Sequence, residues 1–600
     1  MNDTSSKKAG KILLIFLMIV GGFCIFLGTI FYHIFADRKL PNLQAKRIES
    51  AIRGSIYSSD GFLLASSKKV YKAVVNTYNI DPQKKELFIN LFSIYSKIPK
   101  QEIAEKLQDK GNVVLSYDID SKTASYLKQL SIKLNTLDVF RAYENENGHI
   151  FKYGLSVVES GESRDYLYED TMEPILGYIN KQNQEDITKV SGVKGIEKSF
   201  NEELEPLSDL LMVGQRDIGF NVILNKDSTF KERSDGYNVI SSIPLKLQKK
   251  IEQVIDDSRK ILNAKEIIVG IMESKTGKMI SLASSARFNP NVITKEDYPN
   301  LNANAIEYSY EPGSVIKPII YSILLDKKLI EPSEIIPLEN GRYKLHNFYI
   351  TDTHRLQEAS IEEILLYSSN IGMAKIAQRL MADEYYEGLK AFGFGEKSGI
   401  DLPYERVGVI PDIRRLRSEV YRATVSYGYG LRTTFMQMLK AYNTIVNDGV
   451  AYEPYLVEYI QDSKGVRYKL KHQMPTRILS DKVANEVKNT LIKVVTQGTG
   501  RTAQVKGVTI GGKTGTAHIA QGGQYVRKYN SSFFGFVSDE KGNEYTIGIS
   551  VFEPNETEAY FASITAVPLF KEIVALLITE NYLYPLNTQC NCNIQSRLIA

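Results

Sequence analysis

The sequence predicts an α/β protein carried by a single N-terminal transmembrane helix, with an α+β unit between that anchor and a larger unit built as a sheet flanked by helices. Three observations lead there. The chain is almost continuously apolar from Ile12 to Phe35, sustained periodicity fades between Phe220 and Asp235, and beyond Val239 strand patterns bracket a run of helical ones. Strands from both ends of a unit with helices between them imply a sheet completed by the C-terminal segment. With 600 residues, 43% apolar and 24% charged, the chain has material for sizeable cores and is not disordered throughout.

The anchor is justified by length, because an apolar helix of this size crosses a hydrocarbon core of roughly 30 Å. No small-x-small cleavage site precedes Asp37-Arg38-Lys39, which disfavours a signal peptide. Lys7, Lys8 and Lys11 precede the span. The expected arrangement is residues 1–11 inside, 12–35 across the inner (cytoplasmic) membrane and the rest exported. A net charge of +4 without a basic run gives no reason to expect nucleic acid as a partner. Cys24, Cys590 and Cys592 are too sparse for a disulfide framework. The six histidines, His33, His149, His346, His354, His472 and His518, lack metal-ligand spacing, so neither a metal nor a cofactor is expected.

Residues 40–225 read as the α+β unit, with helical stretches at 81–95 and 103–110 and alternation around Val70 to Val75. The polar stretch 220–235 reads as a connection. In the second unit, 239–585, an amphipathic helix is expected at 245–262 and a hairpin from 267–272 and 278–283 around Gly277. Helices are expected at 314–326, 361–381 and 433–447, strands at 508–512, 531–537 and 545–552, and a closing helix at 562–579, before a tail at 586–600.

A serine becomes a nucleophile only beside a base, and Ser314 with Lys317 places an amine on the same helical face, just after Pro312-Gly313. The N-terminal end of such a helix turns its N–H groups and positive dipole toward a reacting carbonyl. The same spacing occurs at Ser5 and Lys8, Ser66 and Lys69, and Ser191 and Lys194, which read as solvated surface. Ser314 differs in its company, since Ser368-Ser369-Asn370 and then Lys513-Thr514-Gly515-Thr516 follow in order. Lys317 serves as base only when neutral, which burial and a second cation, Lys513, favour. The hydroxyl of Ser368 can accept and donate a proton.

In these three motifs the chain resembles the penicillin-binding transpeptidases. Arg53-Gly54-Ser55-Ile56 and Gly195-Ile196-Glu197 look like pedestal signatures of the monofunctional class B members. Tyr310 to Ser314, Phe394-Gly395, Gly399 to Pro403 and Ser426 to Gly430 match further family blocks. The resemblance implies a serine-β-lactamase-like catalytic fold and a peptidoglycan D,D-transpeptidase that forms an acyl-enzyme on Ser314 and is blocked by β-lactams. It further implies that Ser368 passes a proton to the leaving amine and Asn370 holds the donor peptide. Lys513, Thr514 and Thr516 would receive the terminal carboxylate, Gly515 would admit the substrate strand, and the N–H groups of Ser314 and Thr516 would form the oxyanion hole.

His518 and Ser242-Ile243-Pro244 depart from the family pattern. No glycosyltransferase-like segment is seen, so polymerisation is left to a partner. Glu311 and Phe552-Glu553-Pro554 look like the division-type penicillin-binding protein 3 group. That resemblance implies a septal role beside a polytopic glycosyltransferase. The alternatives are an elongation-type enzyme, a D,D-carboxypeptidase or β-lactamase using water, and a non-catalytic scaffold or sensor.

Overall fold

Pairing of segments far apart in sequence organises this chain, as its computed structural model shows for residues 3–35, 44–144, 150–151, 154–184, 187–217, 222–555 and 560–586. Cys590, Cys592 and His149 lie outside the described residues. Two compact units result, one from residues 1–51 with 208–234 and the other from 52–207 with 235–600.

The first unit holds the helix Asp3–Phe35, within which Lys8–Phe35 is long and apolar enough to cross a membrane. Its apolar side chains are exposed, as lipid-facing ones must be. Strand Gln44–Glu49 pairs antiparallel with Leu210–Gln215, which pairs with Thr229–Lys231. The stretch expected as a plain connection therefore contains a strand. All three residues of Thr229–Lys231 are exposed, so no buried face imposed an alternation that could be read.

In the second unit a nine-stranded sheet runs, by neighbours, through Arg467–Lys469, Val457–Gln461, Asn238–Ser241, Ile56–Tyr57, Leu63–Asn76, Ser156–Tyr166, Ile187–Gly192 and Ile179–Gln184, with Asn112–Asp120 also on Leu63–Asn76. Asn238–Ser241 lies parallel to Ile56–Tyr57 and antiparallel to Val457–Gln461. One sheet thus spans the interval between residues 225 and 239, where the sequence suggests a boundary.

A five-stranded antiparallel sheet holds the Lys513-Thr514-Gly515-Thr516 motif. Its order is Met279–Ser284, Glu266–Glu273, Glu544–Phe552, Gln524–Ser538 and, at the edge, Thr509–Gln521. Alternation divides Glu266–Glu273 between two cores: Ile267, Val269 and Ile271 pack with Ile251, Phe570 and Ile573 of helices Leu245–Leu262 and Ala566–Thr579, whereas Ile268 and Met272 join Phe435 and Leu439 of helix Phe435–Val446. Gly270 is required here, because a Cβ would stand 2.7 Å from the Phe435 ring. The helix and hairpin expected at 245–262 and 267–283 are both present. The strands expected at 508–512 and 531–537 are longer than their apolar cores suggested, extending into a hairpin that ends at Gln521 and Gln524.

Candidate active site

Ser314 lies not on an α-helix but on a turn of 3-10 helix, Gly313–Ile316, that leads into the helix Lys317–Asp326. Pro318 is the cause. An α-helix extended back through Ser314 would press the proline ring against the Ser314 carbonyl, so the turn closes one residue tighter, with the Lys317 N–H donating to that carbonyl. Lys317 is thereby swung into the interior, with no exposed surface, while Ser314 stays half-buried at the cavity wall.

The helix expected over 361–381 is broken at the second motif. Helix Ile361–Leu366 stops where Ser368 enters the left-handed region, at φ 61°. Ser369 N–H then donates to the Ile364 carbonyl and Ser368 N–H to that of Leu365, a Schellman closure with serine where glycine is usual. Such a backbone costs about 1–3 kcal/mol and persists only when its surroundings enforce it. Here they do: Ser369 caps the next helix, Asn370–Ile376, by accepting from Gly372 N–H, and the Ser368 carbonyl is turned onto the Lys317 amine.

Lys317 Nζ lies 2.6 Å from the Ser368 carbonyl, 2.7 Å from Asn370 Oδ1 and 3.2 Å from Ser368 Oγ. A neutral amine has two N–H groups, enough for the carbonyl and the amide, and keeps its lone pair for a hydroxyl. Among the described residues its hydrogen bonds go to Ser368 and Asn370 rather than to Ser314. Burial, and then the Lys513 charge, hold its pKa well below the ordinary lysine value, opposed only by Asp352. Asn370 Nδ2 donates to the Thr351 carbonyl at 3.1 Å, which leaves its second N–H for a ligand.

On the edge strand alternation separates two roles. Lys513, Gly515 and Ala517 are buried, while Thr514 and Thr516 face the cleft. Gly515 lets the turn that carries Ser314 pack against the strand: a Cβ would meet Val315 Cγ1 at 2.8 Å and Pro312 O at 3.2 Å. Lys513 is wholly buried, and that burial lowers its pKa to about 7. Its amine donates to the Thr514 carbonyl at 3.1 Å. Thr514 Oγ1 shares a hydrogen bond with Thr499 Oγ1, and Thr516 Oγ1 accepts from Ala562 N–H.

The motifs meet in one cavity of about 510 Å³, which Ser314, Ser368, Asn370, Thr514 and Thr516 line. His518 lines it too, at a bulge in the edge strand, with its N–H donating to Tyr429 Oη at 3.1 Å. Asp352 was missed by sequence reasoning. It accepts from Ser369 Oγ and from the N–H groups of Asn370 and Ile371, and so fixes the second motif from a separate loop. No signal in the sequence marks it, because an aspartate that caps a helix from so far along the chain looks like any loop aspartate.

The arrangement suits acyl transfer: a half-buried serine hydroxyl, a buried amine of lowered pKa, a second hydroxyl 3.2 Å from that amine, and a strand edge beside a second buried amine. The model of the penicillin binding protein transpeptidase domain matches residues 267–575, and that of the penicillin-binding protein dimerisation domain matches residues 48–241. The chain is 25% identical to the probable peptidoglycan D,D-transpeptidase PenA of Neisseria meningitidis, over 95% of this chain and 92% of that one. It is 27% identical to the peptidoglycan D,D-transpeptidase FtsI of Buchnera aphidicola, over 98% and 99%. Its fold is that of penicillin binding protein 3 from Mycobacterium tuberculosis, solved with ampicillin, with a TM-score of 0.64, 21% identity and coverage of 91% of this chain and 98% of that one.

Proposed function

The chain belongs to the penicillin-binding protein transpeptidases, and from that premise we propose that Ser314 is its nucleophile and Lys317 the base. The protein is a serine-type peptidoglycan D,D-transpeptidase and a target of β-lactams. Ser314 Oγ attacks the carbonyl of the penultimate D-Ala of a donor stem as its proton passes to the Lys317 amine. The N–H groups of Ser314 and Thr516 receive the developing oxyanion. Ser368 Oγ, 3.2 Å from the Lys317 amine, relays the proton to the departing D-Ala. An amine of a neighbouring stem then takes the acyl group from Ser314. Lys513, with Thr514 and Thr516, holds the terminal carboxylate of the stem, or that of a β-lactam, and Asn370 holds the donor backbone.

The observation that carries this reading is the wholly buried Lys317 amine, depressed in pKa and hydrogen-bonded to Ser368 and Asn370 beside the Ser314 turn. Donor and acceptor stems incubated with the purified protein should yield a cross-linked dimer by mass spectrometry. Donor shortened by one D-Ala without any cross-link would make the enzyme a carboxypeptidase instead.

Residues 40–225 serve as the pedestal and 239–585 as the catalytic domain, with the N-terminus inside and the catalytic domain outside the membrane. The Glu311 and Phe552-Glu553-Pro554 resemblance supports a septal role, and the exposed apolar anchor offers a polytopic glycosyltransferase of the division machinery a helix to pack against. Glu311 also has a local use, accepting from Gly430 N–H at 2.7 Å. Depletion in the native host should block septation while side walls keep growing. Rounded cells that still form septa would assign the protein to elongation.

A further inference from the structure

The two N–H groups assigned to the oxyanion hole sit on different segments, Ser314 on the 3-10 turn and Thr516 on the edge strand. Thr509–Gln521 has a neighbouring strand on one side only, so sheet pairing does not set its distance from Ser314. A loop links the two segments. Gly313 N–H donates to the Gly428 carbonyl at 3.1 Å, and a Cβ on Gly428 would stand 2.0 Å from the Gly313 oxygen, so the two backbones touch. From the same loop, Tyr429 Oη accepts from His518 N–H of the edge strand. The Tyr429 ring also meets that of Tyr525, near the tip of the edge hairpin, edge-on at 5.3 Å.

Glu311, on the segment that runs into the nucleophile turn, closes this circuit. Its Oε1 accepts from Gly430 N–H at 2.7 Å and from Tyr525 Oη at 3.3 Å, so one carboxylate oxygen holds both the loop and the hairpin tip to the chain that carries Ser314. The other oxygen, Oε2, is buried and among the described residues has no hydrogen-bond partner. Burial pushes the carboxyl pKa up, opposed by the Gly430 and Tyr525 hydrogen bonds and by the charge of Arg432. A buried, unpaired acceptor costs stability, so packing alone does not account for a glutamate here. Such a cost is tolerated where function needs the group. We propose that Glu311 is a positioning residue for acyl transfer, tying the loop 427–430 and the hairpin tip to the nucleophile turn and so holding Ser314 N–H and Thr516 N–H at the spacing the oxyanion needs. This inference rests on the nucleophile and oxyanion-hole assignments above.

The test uses the full-length protein in detergent and follows acylation of Ser314 over a range of penicillin concentrations, which separates the acylation rate constant from the affinity of the non-covalent complex. Glu311→Ala should lower the rate constant about 10- to 100-fold, short of the roughly 10²–10³-fold that loss of an oxyanion donor brings, and leave the non-covalent affinity within about twofold. Affinity for an arylboronic acid, which forms a tetrahedral adduct on the serine oxygen, should fall in step with the rate constant. The unfolding temperature should not drop, because the unpaired oxygen leaves with the side chain. Glu311→Gln keeps the Oε1 acceptor and should stay within about threefold of the wild type, while Tyr525→Phe, which removes one bond to Oε1, should cost about two- to fivefold. The inference is overturned by a Glu311→Ala rate constant within about threefold of the wild type, by an equal loss in non-covalent affinity, or by an unfolding temperature lowered in step with the rate. Glu311→Gln as slow as Glu311→Ala would overturn it as well. Penicillin on Ser314 in every variant leaves the nucleophile standing in all these cases, whereas a wild type that penicillin fails to label there overturns both readings.

Discussion

Two groups of fully buried charges sit in the same compact unit and are handled in opposite ways. Around Glu197 two guanidinium groups share one carboxylate: Arg53 donates through Nε and Nη2 to Oε2 at 3.0 and 2.8 Å, and Arg164 Nε donates to Oε1 at 2.7 Å, with all three side chains at 0% exposure. Around Ser314, Lys317 and Lys513 are as deeply buried, yet among the described residues neither has a carboxylate within ion-pair distance. Guanidinium cannot shed its proton in a protein, so burying it demands a partner. An amine can, and burial without a partner is how a lysine becomes a base at neutral pH. The first group locks Arg53, Arg164 and Glu197 together, and the second lowers the pKa of both lysines, as the proposed chemistry requires.

The comparison breaks most severely at the base. Lys317→Ala should lower the rate of penicillin acylation about 10²–10⁴-fold while the protein still folds, because no buried charge is orphaned. Stopped acylation with unchanged thermal unfolding is the expected pair of results. The reverse holds at Glu197→Gln, which strands two buried guanidinium groups and should cost about 3–5 kcal/mol of stability. Denaturant unfolding should show that loss, with acylation per folded molecule kept.

Those contrasts were unequally legible in the sequence. Ser314, Lys317 and the two later motifs could be found because chemistry fixes residue types at short spacing, and helix Leu245–Leu262 because its buried face repeats with the helical period. The break at Ser368 could not, since serine replaces the glycine that normally marks a left-handed closure. Asp352 and strand Thr229–Lys231 act through partners distant in sequence, and no local pattern encodes those. The 3-10 turn at Ser314 was within reach, because Pro318 stands four residues on and forbids an α-helical start there.

The two lysines can be set against each other by pH. In the proposed mechanism acylation needs Lys317 neutral and Lys513 charged. The rate should therefore rise with pH as Lys317 loses its proton and fall above about 7 as Lys513 loses its own. Lys513→Arg keeps the cation at every working pH and should abolish the falling limb. A pH profile of acylation that kept this limb in the variant would show that Lys513 is not its source.

Smaller effects sharpen the carboxylate site. Lys513→Ala should weaken β-lactam acylation about 10- to 100-fold, the scale of a charge-assisted hydrogen bond. Thr516→Ala should cost only about fivefold, since Thr514 shares the contact and the backbone donor at 516 remains. Second-order acylation rates for the two variants decide it, and equal losses would mean that the Thr516 hydroxyl does more than hold the carboxylate.

The central claim is that Ser314 alone becomes acylated. The most direct measurement is the mass of the intact protein after reaction with a labelled penicillin, followed by peptide mapping, for the wild type and for Ser314→Ala. One adduct per chain on Ser314, absent from a Ser314→Ala protein that folds normally, is the predicted result. A label that persists on another residue in Ser314→Ala would contradict it.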